Sequence, residues 1–404
     1  MPDRILTSHA GSLPRPEELL DLNARRAAGE PVDEASYLEQ LRQAVVEIVA
    51  RQRHAGIDLV NDGEYGHAMG QEYDYGTWWS YVFPRLSGLE LVERGLAEQP
   101  QTRDGGSAEI VLASFGERRD WNLFADAYAD PQSGAALPLT PLQVKSPVCS
   151  GPITYQGHEA LQRDIADMKA ALAAADLTDG FLNSVAPASC ARIANEFYDT
   201  DEEILWACAD AMREEYEAIV EAGLGVQLDD PAIAENWDQI VPEPSVEAYR
   251  RYTQVRIDAL NHAIRGLPPE RIRFHLCWGS WHGPHVTDIP MREIVNLMLA
   301  VDAGAYSFEA ANARHEHEWR VWQDVALPEG KVILPGVVTH STNVVEHPEL
   351  VAERIVRFAE QVGRENVVAS TDCGLGGRIH PQIAWAKLEA LSQGAAIASR
   401  QLFG

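Results

Sequence analysis

The stretch RFHLCWGSWHGP, residues 273–284, places His275 and Cys277 two positions apart at the end of a short apolar run that then breaks into glycines. In a strand, residues i and i+2 face the same side, so an imidazole and a thiol would emerge together at the strand's end. Neutral imidazole with thiolate is a donor pair that suits zinc. Two donors do not complete a site, and two more candidates follow in the same local setting. SFEAAN puts Glu309 at the end of an apolar segment, and STDCGLGGR puts Cys373 at the end of another, just before a Gly-rich turn. Taken singly, each has a plainer reading as a buried cysteine or a helix-capping glutamate. Taken together at strand-to-loop junctions, His275, Cys277, Glu309 and Cys373 form an N, S, O, S set that points to a metal centre.

The elements that must position them alternate along the chain. Ile5 to His9 reads as a strand, followed by a helix over about Ala35 to Ala55 and the strand IDLVNDGE. From about Tyr75 to Leu142 the alternation lapses into an inserted excursion with an aromatic start, in which GLELVE and SAEIVLASF are expected to pair as a hairpin. It resumes with QVKSPVCSGPITY, a helix over about Leu161 to Ala175, and GFLNSVAPAS, the least secure strand of the series. Helices over about Asp201 to Ala222 and Ser245 to Ile264 flank the strand that ends in QLDDPA. After the His275 strand come a helix over about Met291 to Ala303, the Glu309 strand, KVILPGVVTHS, a helix over about Pro348 to Val362, the Cys373 strand and a terminal helix. Strand then helix, repeated, predicts parallel strands with crossover helices. The expected fold is α/β, a single (β/α)8 barrel over 1–404 with an insertion at about 75–142; an open doubly wound sheet is the runner-up. One strand too many is present for eight positions. In such a barrel the strand C-termini share one face, and Ser12, Glu64, Ser150, Asp229, Asp230, His275, Cys277, Glu309, His340 and Cys373 all fall at or just past a predicted strand end.

Composition narrows the partners. The 404 residues are 46% hydrophobic, enough for a large core, and the formal charge of −28 would repel nucleic acid and anionic membranes. Five scattered cysteines suit a reducing compartment, and no signal peptide or membrane-length apolar run is apparent, so a cytoplasmic protein acting on small molecules is expected.

The motifs HLC, SFEAAN, PGVVTHS and TDCGL resemble the zinc half of cobalamin-independent methionine synthase. Upstream, AGS at 10–12, DGE at 62–64, SGP at 150–152 and QLDDPA at 227–232 resemble the substrate motifs of the same barrel, in the same order. The resemblance covers nearly the whole chain outside the excursion and is to the short, single-barrel branch, which also includes the epoxyalkane:coenzyme M transferases. Asp230 stands where the family usually has Glu, and WGSWHGPH replaces the loop expected after HLC.

That resemblance implies Zn2+ on His275, Cys277, Glu309 and Cys373, with Glu309 yielding to a substrate thiol. It further implies His340 as the acid for the leaving group, with Asp372 orienting a ligand or assisting that step. Ser12, Glu64, Asp229 and Asp230 would bind the substrate, the carboxylates taking the amino group of homocysteine, although helix capping competes for Asp230. For a sulfonate thiol the nearest cations are Arg192, Arg314 and Arg378. His282, His285, His315 and His317 do not read as a second metal site. Trp278, Trp281, Tyr73, Tyr75, Trp78 and Trp79 would wall a flat donor or simply pack. The expected activity is zinc-dependent thiol S-alkylation, with methyl transfer to homocysteine from 5-methyltetrahydrofolate or another donor. Epoxide opening by coenzyme M is the alternative, and a non-catalytic thiol binder the other class.

Overall fold

The computed structural model describes residues 3–67, 81–93, 110–113, 115–135 and 145–404. Seven strands form one curled parallel sheet in the order β1 (Leu6–Thr7), β10 (Val368–Thr371), β9 (Val332–Val338), β8 (Ala305–Phe308), β7 (Ile272–Leu276), β6 (Gly225–Asp229) and β4 (Phe181–Val185). Its two edge strands are tied to one segment, 57–61. The amides of Asp58 and Leu59 donate to the Thr7 carbonyl at 3.1 and 3.0 Å, Phe181 N donates to the Val60 carbonyl at 3.1 Å, and Asn61 bridges Phe181. Strands covered on both faces need continuous apolar sequence rather than alternation, which is why β4, β7 and β10 are buried along their whole length.

Crossover helices lie where the periodicity puts them: Glu34–His54, His158–Ala174, Asp201–Glu221, Val246–Ile264, Met291–Leu299, Pro348–Val362 and Pro381–Phe403. Several start on side-chain caps. Asp33 accepts from Ser36 N, and Thr200 and Glu203 form a reciprocal capping box. The acidic, aromatic run Glu316–Gln323 is a 3-10 helix. Among the described residues no helix is long and apolar enough to cross a membrane.

Two expectations are corrected. The surplus strand is not GFLNSV, which is β4 of the main sheet, but the QVKSPVC segment. As β3 (Lys145–Cys149) it leaves the main sheet for a three-stranded one with β2 (Leu89–Glu93) and β5 (Ala194–Asn195). There it is the middle strand, antiparallel to β2 along its whole length and parallel to β5 only at Val148 and Cys149, past Pro147. The second correction follows from the first. GLELVE pairs antiparallel with β3, from Leu89 opposite Cys149 to Glu93 opposite Lys145, instead of with SAEIVLASF. Leu112 of that second stretch bridges Ile240. The β2–β3 ladder continues beyond its strands, since Ser87 N donates to the Thr154 carbonyl and Leu86 bridges Tyr155. A longer ladder offers more paired backbone than a local hairpin. Residues 107–109 and 114 lie outside the described residues.

At the far side of the sheet, β10 breaks register against β9 between Ser370 and Thr371, with Gly336 opposite Ser370. A Cβ on Gly336 would fall 2.1 Å from Asp372 Oδ1 and 2.5 Å from its Cα. No side chain fits there, so glycine is what allows the chain at Asp372 and Cys373 to lie down on β9. Gly336→Ala should therefore lower stability by about 1–3 kcal/mol in denaturant unfolding; wild-type stability in this variant would show that the close approach imposes nothing.

Candidate functional site

β7 delivers His275 and Cys277 to one side, as the i, i+2 spacing requires, and the turn after β10 brings Cys373 to them. One ring nitrogen and the two sulfurs all lie within 4.8 Å of one another. His275 is oriented by Ser307 of β8, whose Oγ is 3.0 Å from Nδ1, and its Nε2 is buried without a hydrogen-bond partner. A buried imidazole nitrogen with no partner beside two thiols is a donor set that could hold a metal ion, and its N and S donors suit zinc. Donation from the Cys277 thiol holds Cys373 well below the usual thiol range, and the same contact pushes Cys277 up. Burial opposes charge on His275, but its contact with Cys373 raises it overall.

Glu309 does not complete this group. It forms a second cluster with His340 and Asp372, their ligand atoms again within 4.8 Å of one another. Its carboxylate accepts from Trp278 N at 2.9 Å and from Asn312 Nδ2 at 2.7 Å, and burial, with Asp372 nearby, pushes it up to about 8. Asp372 accepts from the successive amides of Ala310 and Ala311 at 2.7 and 2.8 Å, which commits one of its oxygens to backbone. His340 is buried, its Nδ1 has no hydrogen-bond partner, and burial lowers it to about 3, so its ring is neutral.

Cys373, less buried than its two neighbours, opens on a cavity that Ser12, Glu64, Asp229, Ser280 and Arg378 also line. Glu64 sits in the left-handed region at φ 59°, held by donation of its own amide to Asp62 Oδ1 and by Arg15 on its carbonyl. Gly11, at φ 132°, passes so close that a Cβ would strike both Glu64 Oε1 and Asn183 Nδ2. Asn183 and Gln227 donate to the two oxygens of Asp229 at 2.9 and 2.8 Å. Burial drives both Glu64 and Asp229 up to about 7. Two partly buried carboxyls beside a thiol pair are the kind of perturbed acid cluster that marks a candidate binding site.

The remaining sequence candidates divide. Arg378 reaches the cavity and donates through Nε to Ser280 Oγ at 2.6 Å. Arg192 is engaged by Glu235 and Gln239, and Arg314 by the Val286 carbonyl, both away from it. Asp230 is not among the lining residues: its Oδ1 accepts from Ser189 Oγ at 2.8 Å. Ser150 directly follows β3 and its amide donates to the Gly88 carbonyl, outside the main sheet. Trp278 and Trp281 stack on His315 and His285 with centroids 4.0 and 4.4 Å apart, and neither lines the cavity. Tyr73, Tyr75, Trp78 and Trp79 lie outside the described residues. Sequence reasoning missed Asn183, His67 and Ser280. A polar Asn inside the buried run FLNSV was the available signal, and it sat in the strand judged least secure.

The family model for the cobalamin-independent synthase catalytic domain matches residues 144–396. The methionine synthase of Thermococcus kodakarensis is 23% identical over 400 residues, covering 98% of this chain and 94% of that protein. The 2-hydroxypropyl-CoM lyase of Xanthobacter autotrophicus is 24% identical, covering 98% and 96%. A 5-methyltetrahydropteroyltriglutamate–homocysteine methyltransferase of Vibrio parahaemolyticus is 22% identical over 98% of this chain but only 42% of its own length. Among solved structures, a B12-independent methionine synthase of Shewanella sp. W3-18-1 has the same fold, with TM-score 0.66 at 19% identity over 99% of both chains.

The raised carboxyls make a stability prediction. The unfolded pKa is about 4, so between about pH 4 and 7 the folded protein binds more protons than the unfolded one, and stability falls as pH rises through that window. In metal-free protein, Glu64→Gln or Asp229→Asn should flatten this slope and stabilise the fold at pH 8 by ~2 kcal/mol, with no gain near pH 4. An unchanged slope in both variants would mean that these carboxyls are not the strained ones.

Proposed function

Because the chain belongs to the cobalamin-independent synthase catalytic-domain family, whose members are enzymes, we propose that it is a zinc-dependent thiol S-alkyltransferase and that its reaction is methyl transfer to homocysteine. The observation that carries the reading is the juxtaposition of the His275, Cys277 and Cys373 donors with the paired carboxyls of Glu64 and Asp229 in one cavity. A thiol amino acid presents a sulfur and an ammonium, and the cavity offers a counterpart for each. The family resemblance and the curled sheet, joined at both edges to 57–61, support a single eight-position barrel with 75–142 as its insertion.

His275, Cys277 and Cys373 would hold the ion. Zinc, when bound, supplies acidity, stabilising a substrate thiol as its thiolate, the nucleophilic form. Glu309, held by Trp278 and Asn312, would remain the exchangeable fourth donor, the role assigned to it on sequence. Glu64 and Asp229 orient the thiol by its ammonium, whose charge draws both carboxyls back to their ionised state. Ser12 lines the same wall. The sulfur forms a bond to the donor's methyl carbon as the bond from that carbon to its leaving group breaks. The thiol proton is released and the leaving group takes one. His340, which burial keeps neutral, would take up the released proton on its unpartnered ring nitrogen and pass it to the leaving group, a relay rather than a standing acid, and Asp372 fixes the turn between Glu309 and Cys373 that frames it.

Arg378 favours one competing reading. A guanidinium on the cavity wall suits the sulfonate of coenzyme M, and the lyase relative from Xanthobacter autotrophicus is named for that thiol. Elemental analysis with zinc-edge absorption separates them. One equivalent of zinc is expected, with a sulfur added to its shell by homocysteine and not by coenzyme M; the reverse would transfer the assignment to epoxide chemistry. Cys373→Ser should lose the metal. His340→Ala should keep metal and thiol binding while kcat falls about 10²–10⁴-fold. Protein without zinc, or with a shell that no thiol changes, would sink the proposal.

A further inference from the structure

Behind the loop that follows β7 lies a second cavity of about 350 Å3, against about 100 Å3 for the one beside Cys373. It opens between Asp288–Arg292 and the 3-10 helix Glu316–Gln323, and its lining carries three arginines against three acids, richer in arginine than the chain as a whole. With 61 acidic residues to 33 lysines and arginines, an arginine would ordinarily find a carboxylate. Arg314 and Arg320, both exposed in this cavity, form no ion pair among the described residues. Arg314 spends one donor on the Val286 carbonyl at 2.8 Å, and Arg320 lies over the Trp319 ring. Arg292 joins them and shares its only carboxylate, Glu293, with Arg250.

The acids that line the cavity are already matched. Asp288 stands between His285 and His315 at 3.2 and 3.1 Å, and Glu318 pairs with His315 at 2.9 Å while its other oxygen accepts from Met291 N. Of the lining acids only Asp324 is left to oppose Arg314 and Arg320, since Arg292 already has a share of Glu293. Guanidinium presents its donors in a planar fork that fits carboxylate or phosphate oxygens two at a time.

We propose that this cavity is a binding site for a small multivalent oxyanion, a phosphate ester or a polycarboxylate, gripped by Arg314 and Arg320. The site is separate from the metal centre but adjoins it. His315 in its wall stacks on Trp278, whose amide holds Glu309. An occupant therefore sits one layer behind the metal-binding loop, where the Trp278 indole reports on it.

The test is calorimetry, with tryptophan fluorescence in parallel, on the full-length protein titrated with inorganic phosphate and separately with tricarballylate. At least one probe should bind one-to-one and bind at least about tenfold more weakly to an Arg314→Ala/Arg320→Ala variant. Both arginines are exposed, so the variant should fold as the parent does, and an unchanged metal content would show that the triad is untouched. Phosphate alone binding would assign a phosphorylated ligand; tricarballylate alone, an acidic tail or a free polycarboxylate. Failure of both probes to bind, or equal binding by the variant, would overturn the proposal. Neither result depends on the transferase reading, which the zinc and thiol experiments decide.

Discussion

The carboxylate of Asp372 accepts two successive backbone amides, Ala310 and Ala311, from the turn after the neighbouring-but-one strand. That single contact spans β8 to β10 across β9 and decides where the next residue, Cys373, can lie. It is available only because Gly336 of β9 has no side chain to keep the two turns apart. Burial raises the Asp372 carboxyl, and the amides of Ala310 and Ala311 work against that rise, so the contacts that close the turn also favour its ionised form. His275, Cys277 and Cys373 come from two strands that are not hydrogen-bonded to one another. Without this clasp the second sulfur would have no fixed position relative to the first.

The same turn gathers negative charge at high density. Glu309, Asp372 and the Cys373 sulfur crowd together on one side, and Glu64 with Asp229 on the other. Burial is the largest cause of the raised values at Glu309, Glu64 and Asp229. Crowded acids in such a site are costly to ionise together, which is what their raised values express. The surrounding protein provides rigidity. Glu215, fully buried, accepts from Tyr81, Tyr155, Ser184 and Arg85, locking the cavity wall at Ser184 to the peripheral sheet. Asp120 does the same for the loop after Cys277, accepting from His285 N and Val286 N.

Much of this was legible from the chain alone, and the reason is local. Parallel strands covered on both faces are written as unbroken apolar runs, and helices as a 3.6-residue period, so element order could be read directly. The i, i+2 spacing of His275 and Cys277 is a statement about one strand and needed no tertiary knowledge. The expectations that failed were those requiring comparison between distant segments. Whether GLELVE pairs with its neighbour in sequence or with 145–149 depends on the total length of ladder available. Which of two marginal strands joins the main sheet depends on the distant segment each one finds beside it, β6 for Phe181–Val185 and β2 with β5 for Lys145–Cys149.

The sequence by itself determined the alternating architecture, the donor types and their arrival at strand ends, because each follows from backbone periodicity. Tertiary structure alone decided which donors meet. It set Glu309 with His340 and Asp372 rather than within the triad, turned Asp230 to Ser189 while Asp229 lines the cavity, and placed Arg378 there but not Arg192. Adjacent residues at a strand end point to opposite sides, and the curl of the sheet fixes which side is the cavity. That is a property of seven strands together, and no stretch of one strand contains it.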